Sequence, residues 1–153
     1  MASVVHRLIA TAAGIGYLPL APGTWASLVA LLLWYTAAQM AGDHYAWQLI
    51  LIVIIIPLGI YASNRIVGEE QKDPSHIVID EVAGMWLTLL LIPLSWQNFV
   101  AGFVLFRFFD IVKPFGIKRL ENYKNGLGIM LDDLLAGIYS NILLRIIVYS
   151  RVW

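Results

Sequence analysis

The chain has no cysteine among its 153 residues, which excludes disulfides, thiolate metal sites and cysteine nucleophiles. Charge is also scarce: Asp, Glu, Lys and Arg make up 13% of the residues, against about 25% in an ordinary soluble domain. Ten basic residues balance ten acidic ones, so the formal net charge is zero and no basic surplus invites nucleic acid. Only three histidines are present. Hydrophobic residues take up the balance, at 60% with a mean hydropathy of +0.78. A water-soluble fold of this length has too much surface for its volume to hide so much apolar area. The composition therefore specifies an integral membrane protein. The length fits one domain, residues 1–153, and no repeat, low-complexity tract or linker divides it.

Crossing a bilayer takes about 20 largely apolar residues. Five runs qualify in outline: 25–40, 46–63 with Pro57 as a kink, 77–93, 99–112 stopped by Pro114, and 127–148. The first ends at the turn-like Gly42-Asp43-His44. A shorter stretch, 4–13, carries His6 and Arg7 and leads into the breaker-rich segment 14–23. It reads as a short interfacial or half-inserted helix followed by a re-entrant loop, in preference to a cleaved leader. The expected fold is an all-α, polytopic membrane bundle of about five transmembrane helices plus this N-terminal helix and loop. Lys and Arg set its orientation. Arg65 and Lys72 fall in the loop 64–75, and Lys113, Lys118, Arg119 and Lys124 fall in the segment 113–126. The loops 41–45 and 93–98 have none. The basic side is expected to be cytoplasmic, with the N-terminus inside and the C-terminus outside; Arg151 is the one dissenter.

Against this background several charges are out of place. Asp80 and Glu81 open the third run, Arg107 and Asp110 lie inside the fourth, and Asp132 and Asp133 lie inside the fifth. Charge at membrane depth costs at least about 2.5 kcal/mol per residue, and it usually faces the bundle interior for a functional reason. In the expected topology all three groups reach the same layer, at the cytoplasmic ends of three spans. Five carboxylates so placed would repel one another unless a cation neutralised them. An all-oxygen set points to Mg²⁺, Mn²⁺ or Ca²⁺ rather than Zn²⁺. Arg107, Asp110 and Lys113 recur at i, i+3, i+6 and share roughly one helix face. A stripe of cation, carboxylate, cation suits a metal-bridged phosphate. The plainer alternative is that Arg107 and Lys113 only form salt bridges to the acids.

Gly84, Gly137 and Ser140 read as close helix packing, and Asn141 as a helix–helix hydrogen bond. Trp25, Trp34, Trp47, Trp86, Trp96 and the tyrosines read as interfacial belt and packing. Thr24, in Pro22-Gly23-Thr24, is either a plain N-cap or part of an anion site at a helix start. His76 could donate a proton, support the site from behind or simply lie at the interface.

Four ordered motifs carry a family resemblance. They are Gly14-Ile-Gly-Tyr-Leu-Pro-Leu-Ala-Pro-Gly-Thr24; Asp73-Pro-Ser-His-Ile-Val-Ile-Asp-Glu81 with Gly84; Phe106-Arg-Phe-Phe-Asp-Ile-Val-Lys-Pro114; and Gly126-Leu-Gly-Ile-Met-Leu-Asp-Asp133 with Ala136-Gly137. Over about residues 6–145 the chain resembles phosphatidylglycerophosphatase A, departing at Ala26, where that family usually has Gly, and at Gly116, where it usually has Pro. The resemblance implies a Mg²⁺-dependent phosphatase of the bacterial inner membrane that converts phosphatidylglycerophosphate to phosphatidylglycerol and inorganic phosphate. Its site would face the cytoplasm, and no obligate protein partner is expected. On this reading a subset of Asp80, Glu81, Asp110, Asp132 and Asp133 holds the metal and carries catalysis. Arg107 and Lys113, with Thr24 and His76, bind the phosphate. The nucleophile is either a metal-activated water or a carboxylate that forms an aspartyl-phosphate. A cation- or proton-coupled transporter is the alternative from another class, although transporter sites usually lie nearer the midplane.

Overall fold

In lipid an apolar run can satisfy its backbone only by hydrogen bonding within itself, and that makes a helix. The computed structural model describes residues 2–41, 45–70, 74–123 and 125–150, and these are all helix, turn and loop. The α-helices are α1 (Val4–Ala10), α2 (Pro22–Ala41), α3 (Ala46–Glu70), α4 (Ile79–Leu89), α5 (Trp96–Val112) and α6 (Gly126–Tyr149). Short 3-10 turns lie at Ile15–Tyr17 and Ile117–Asn122. The turn Gly42-Asp43-His44, together with Lys72, Asp73, Lys124 and Arg151, lies outside the described residues.

Exposed apolar side chains show what the solvent is. Leu49, Ile50, Val53 and Ile54 on α3, Val100 and Val104 on α5, and Ile138, Ile142 and Ile146 on α6 all face outward. The most apolar stretch of α3 is only 28% buried, and that of α6 only 44%. The core helix of a soluble protein would be mostly covered. The molecule is an all-α membrane protein.

The five expected spans do not all appear as full-length helices. Among the described residues, α3 and α6 alone combine the length and apolarity for a crossing. α3 runs past its expected end and takes Asn64 and Arg65 out of the loop and into the helix; it continues through Pro57, whose side is exposed. α4 is the larger departure. It has 11 residues, about 16 Å of helix, roughly half the hydrocarbon thickness. It stops because Leu91 takes a positive φ of 57° and Pro93 follows, a residue that cannot continue a helix.

α4 is also the central element, with Val82, Ala83, Gly84, Met85, Trp86, Thr88 and Leu89 buried. It crosses α6 at two glycines: a Cβ on Gly137 would lie 2.6 Å from the Gly84 carbonyl oxygen. This confirms packing as their role. Trp34 is fully buried and packs at a tilt against Trp47 and Trp86, with ring centroids 4.8 and 6.1 Å away. Trp25 and Trp96 are exposed near helix ends, in the manner of a belt.

The free C-terminal carbonyls of α4 would be costly at membrane depth. Asn141 Nδ2 donates to the carbonyls of Thr88 and Leu90, 2.9 Å each, and Arg145 Nη2 donates to that of Leu90 at 3.0 Å. Gln48 Oε1 accepts the Leu91 amide at 2.8 Å. Asn141 is thus the helix–helix hydrogen bonder expected, and Gln48 and Arg145 are its partners in capping.

Candidate active site

The other end of α4 is held by a different set of contacts. α1 leads to it, since the Val78 amide donates to the Ala10 carbonyl (2.9 Å), and Arg7 on α1 pairs with Glu69 on α3 at 3.5 Å. Gly16 allows the 15–17 turn to press against the His76 carbonyl, where any Cβ would clash. Asp80 and Glu81 then sit in the first turn of α4. α6 starts at Asn125, whose side chain caps the Gly128 amide (2.9 Å), and Asn64 on α3 accepts the Gly126 amide (2.8 Å). Nearly two turns into α6 come Asp132 and Asp133, both buried. α5 ends at Lys113, which adopts the left-handed conformation (φ 48°) before Pro114.

These three ends converge. Asp80, Asp132 and Asp133 each place a carboxylate oxygen within 4.8 Å of the others. Asp110 lies beside Asp133, and Glu81 beside Asp80. Lys113 Nζ meets Asp132 at 2.5 Å, and Arg107 Nη1 meets Asp110 at 2.7 Å. Both salt bridges of the plainer alternative therefore form, but two cations cannot balance five acids. Asp80 Oδ1, Glu81 Oε2, Asp133 Oδ2 and Arg107 Nε are buried without a hydrogen-bond partner. A cavity of about 370 Å³ opens onto Asp80, Asp132 and Lys113, with Ser75, Tyr123 and Gly128 among its walls.

Three unpaired, buried carboxylate oxygens and a triad on this length scale fit a hard divalent cation, whose oxygen ligands stand at about 2.0–2.6 Å. The donor set contains no nitrogen or sulfur, which suits Mg²⁺ better than Zn²⁺.

The structure separates the expected residues into three groups. Asp80, Asp132 and Asp133 form the triad, and Lys113 and Arg107–Asp110 border it. Glu81 turns toward α2: a Cβ on Gly23 would lie against its Oε1. The anion at the first turn of α2 is thus the chain's own carboxylate, in the place where helix starts favour negative charge. Thr24 is not the N-cap, because the helix already begins at Pro22, a residue suited to that first position. His76 stacks on Tyr17, with centroids 5.2 Å apart. Neither Thr24 nor His76 lines the cavity. Sequence reasoning passed over Ser27, whose hydroxyl accepts from Arg107 Nη1 at 3.4 Å and donates to the Gly23 carbonyl at 2.8 Å. Its one signal was a lone hydroxyl four residues after Gly23, on the same helix face.

Fold and site together define a helical membrane protein with a buried, oxygen-only cluster beside a fixed arginine and lysine, a combination suited to phosphate chemistry. The family model for phosphatidylglycerophosphatase A matches residues 8–148, and the chain belongs to that family, a family of phosphoric monoester hydrolases. It is 38% identical to a phosphatidylglycerophosphatase A of Escherichia coli over 139 residues, 88% of this chain and 78% of the relative. It is 41% identical to that of Haemophilus influenzae over 146 residues, 94% and 88% of the two chains. A Bacteroides thetaiotaomicron protein, provisionally named a phosphatidylinositol-3-phosphatase, is 41% identical over 149 residues, 94% of each chain. No solved structure matches. None of these relatives is named a transporter, so that reading gains no support.

Proposed function

We propose that this protein hydrolyses phosphatidylglycerophosphate to phosphatidylglycerol and inorganic phosphate, with Mg²⁺, at the cytoplasmic face of the bacterial inner membrane. The observation that carries the proposal is the triad of Asp80, Asp132 and Asp133 within 4.8 Å, of which Asp80 and Asp132 line a cavity that Lys113 also lines. The whole chain acts as one domain. Beside α3 and α6, the two helices long and apolar enough to cross, we read α2 and the shorter α5 as crossings too, and α4 together with residues 90–95 as the third of five passes.

Asp80, Asp132 and Asp133, with Glu81 and Asp110 nearby, would hold Mg²⁺, which offsets their repulsion and polarises the phosphomonoester. Lys113 reaches the cavity from its left-handed cap and supplies a point charge to the phosphoryl oxygens. Arg107 is held by Asp110 and Ser27 through Nη1, and its Nε remains as a donor. His76 and Thr24 border this set: His76 braces the loop 74–78 against Tyr17, and Thr24 lies in the α2 turn that meets Glu81. In the reaction the bond between phosphorus and the glycerol oxygen breaks, and that oxygen leaves with a proton. Either water attacks phosphorus directly and gives up a proton, or one of the carboxylates attacks and water then hydrolyses the resulting acyl-phosphate, which releases inorganic phosphate and restores the carboxylate.

The test is phosphate release by purified protein from phosphatidylglycerophosphate, with and without Mg²⁺, beside phosphatidylinositol 3-phosphate. We expect Mg²⁺-dependent release from the first and little from the second. Preference for the inositol lipid would transfer the substrate to that suggested by the Bacteroides relative's name. For sidedness, Ser75→Cys should resist an impermeant thiol reagent in intact cells and react once the membrane is opened. Labelling from outside would place the cavity on the wrong face.

A further inference from the structure

Below the polar cavity lies a second depression, of about 240 Å³, lined by Phe109, Phe115, Tyr139, Ile142, Leu143 and Ile146. None of the preceding chemistry uses it. It lies between α5 and α6, and its side chains are apolar except for the Tyr139 hydroxyl, which donates to the Phe115 carbonyl at 3.3 Å.

Its position relative to the site is fixed by helix geometry. Asp132 and Tyr139 are seven residues apart on α6, nearly two full turns, so they share one face with about 10 Å between them along the axis. On the facing wall Phe109 lies in the last turn of α5, four residues before Lys113, the residue that caps this helix. The Lys113–Asp132 ion pair, which borders the cavity, is therefore followed directly by Phe109 and Tyr139, whose rings meet edge-on at 5.8 Å. From there the depression runs a further 10 Å or so along α6 to Ile146, away from the charged end. Ile142 and Ile146 are exposed on the surface that faces lipid.

The geometry points to this groove as the seat of one acyl chain of the lipid phosphomonoester, an assignment that rests on the proposed reaction. A phosphate held at Lys113 belongs to a molecule whose tails must remain in the bilayer. The groove supplies an apolar path at the right depth, on the same face of α6. A second helix, about 10 Å across, would need more room over that length than 240 Å³. Because bulk lipid is as apolar as the groove, the seat works through close packing and alignment of the head group, not through escape from water. It orients the substrate so that its terminal phosphate meets the acids.

The test uses the full chain in lipid nanodiscs with phosphatidylglycerophosphate that carries a diazirine on one acyl chain. Cross-links should concentrate on Tyr139, Ile142 and Ile146, and unlabelled phosphatidylglycerophosphate should displace them where phosphatidylcholine does not. Cross-links spread equally over Val53 and Val104 would overturn the assignment, as would displacement by both lipids. This readout needs no turnover, so an enzyme inactive on the lipid would sink the proposed reaction and still leave the groove decidable. In activity, Ile142→Trp should raise KM for the dioleoyl substrate about tenfold and change KM for the dihexanoyl substrate less than twofold. Equal effects on both chain lengths, or none on either, would overturn it.

Discussion

The two ends of α4 are both polar, both deep within an apolar molecule, and built in opposite ways. At its C-terminal end Gln48, Asn141 and Arg145 meet the carbonyls and amide that the helix leaves open. Among the described residues none of these three leaves a buried side-chain atom without a partner. At its N-terminal end, Asp80, Glu81 and Asp133 each bury a carboxylate oxygen with no partner at all. Burying a polar group without compensation costs about 1–3 kcal/mol even on protein-derived scales. A fold tolerates that three times over in one place only when something else completes the set. The satisfied end thus shows how the chain holds a short helix at membrane depth, and the unsatisfied end is where we propose that it acts.

The comparison breaks most decisively on metal. Chelation should abolish phosphate release, and Mg²⁺ should restore it. Added Mg²⁺ should also raise the melting temperature of the intact protein, since a ligand that binds only the folded state stabilises it. Full activity in excess chelator would remove the reason given for the unpaired oxygens. Next in size are Asp80→Asn and Asp133→Asn. Each keeps the shape of the side chain and loses its charge, and each should lower kcat by about 100-fold or more. Both variants should still insert, and their melting temperatures should no longer respond to Mg²⁺. Near-normal turnover in either would move the site.

The opposite end should respond in the opposite way. Arg145→Met leaves the Leu90 carbonyl short of one donor and should cost about 1–3 kcal/mol of stability, read as a lower melting temperature. KM and the Mg²⁺ response of the folded fraction should hold. Were kcat to collapse with no loss of stability, the division between the two ends would fail. Gly137→Ala probes what joins them, because its new methyl would press on the Gly84 carbonyl at an overpacking cost of about 1–3 kcal/mol. It should destabilise the protein and reduce turnover moderately, since Asp133 lies one helical turn away. The smallest effect belongs to Ser27→Ala: one long hydrogen bond to Arg107 disappears, and KM should rise only a few-fold, with kcat nearly unchanged.

Composition alone determined that lipid is the solvent, because neither the ratio of apolar to charged residues nor the absence of cysteine depends on how the chain folds. The apolar runs determined α2, α5 and α6 to within three residues at each end, since a span's length follows from bilayer thickness, whereas α3 runs seven residues past its expected end. Convergence of Asp80, Asp110 and Asp132–Asp133 on one layer was also legible, because a charge inside an apolar run is conspicuous in a sequence. Pairing within that layer was not. Which carboxylates meet within 4.8 Å, that Arg107 takes Asp110 while Lys113 takes Asp132, and that Glu81 turns to Gly23 all depend on how helices rotate and how closely they cross. The shortness of α4 was hidden for a similar reason. Residues 77–93 read as one apolar run, but a helix inside them can stop at Leu89 only because Gln48, Asn141 and Arg145, distant in sequence, are present to take its open carbonyls and amide. Hydropathy is a property of each residue and survives in the string; hydrogen-bond satisfaction is a property of pairs and exists only once the helices have packed.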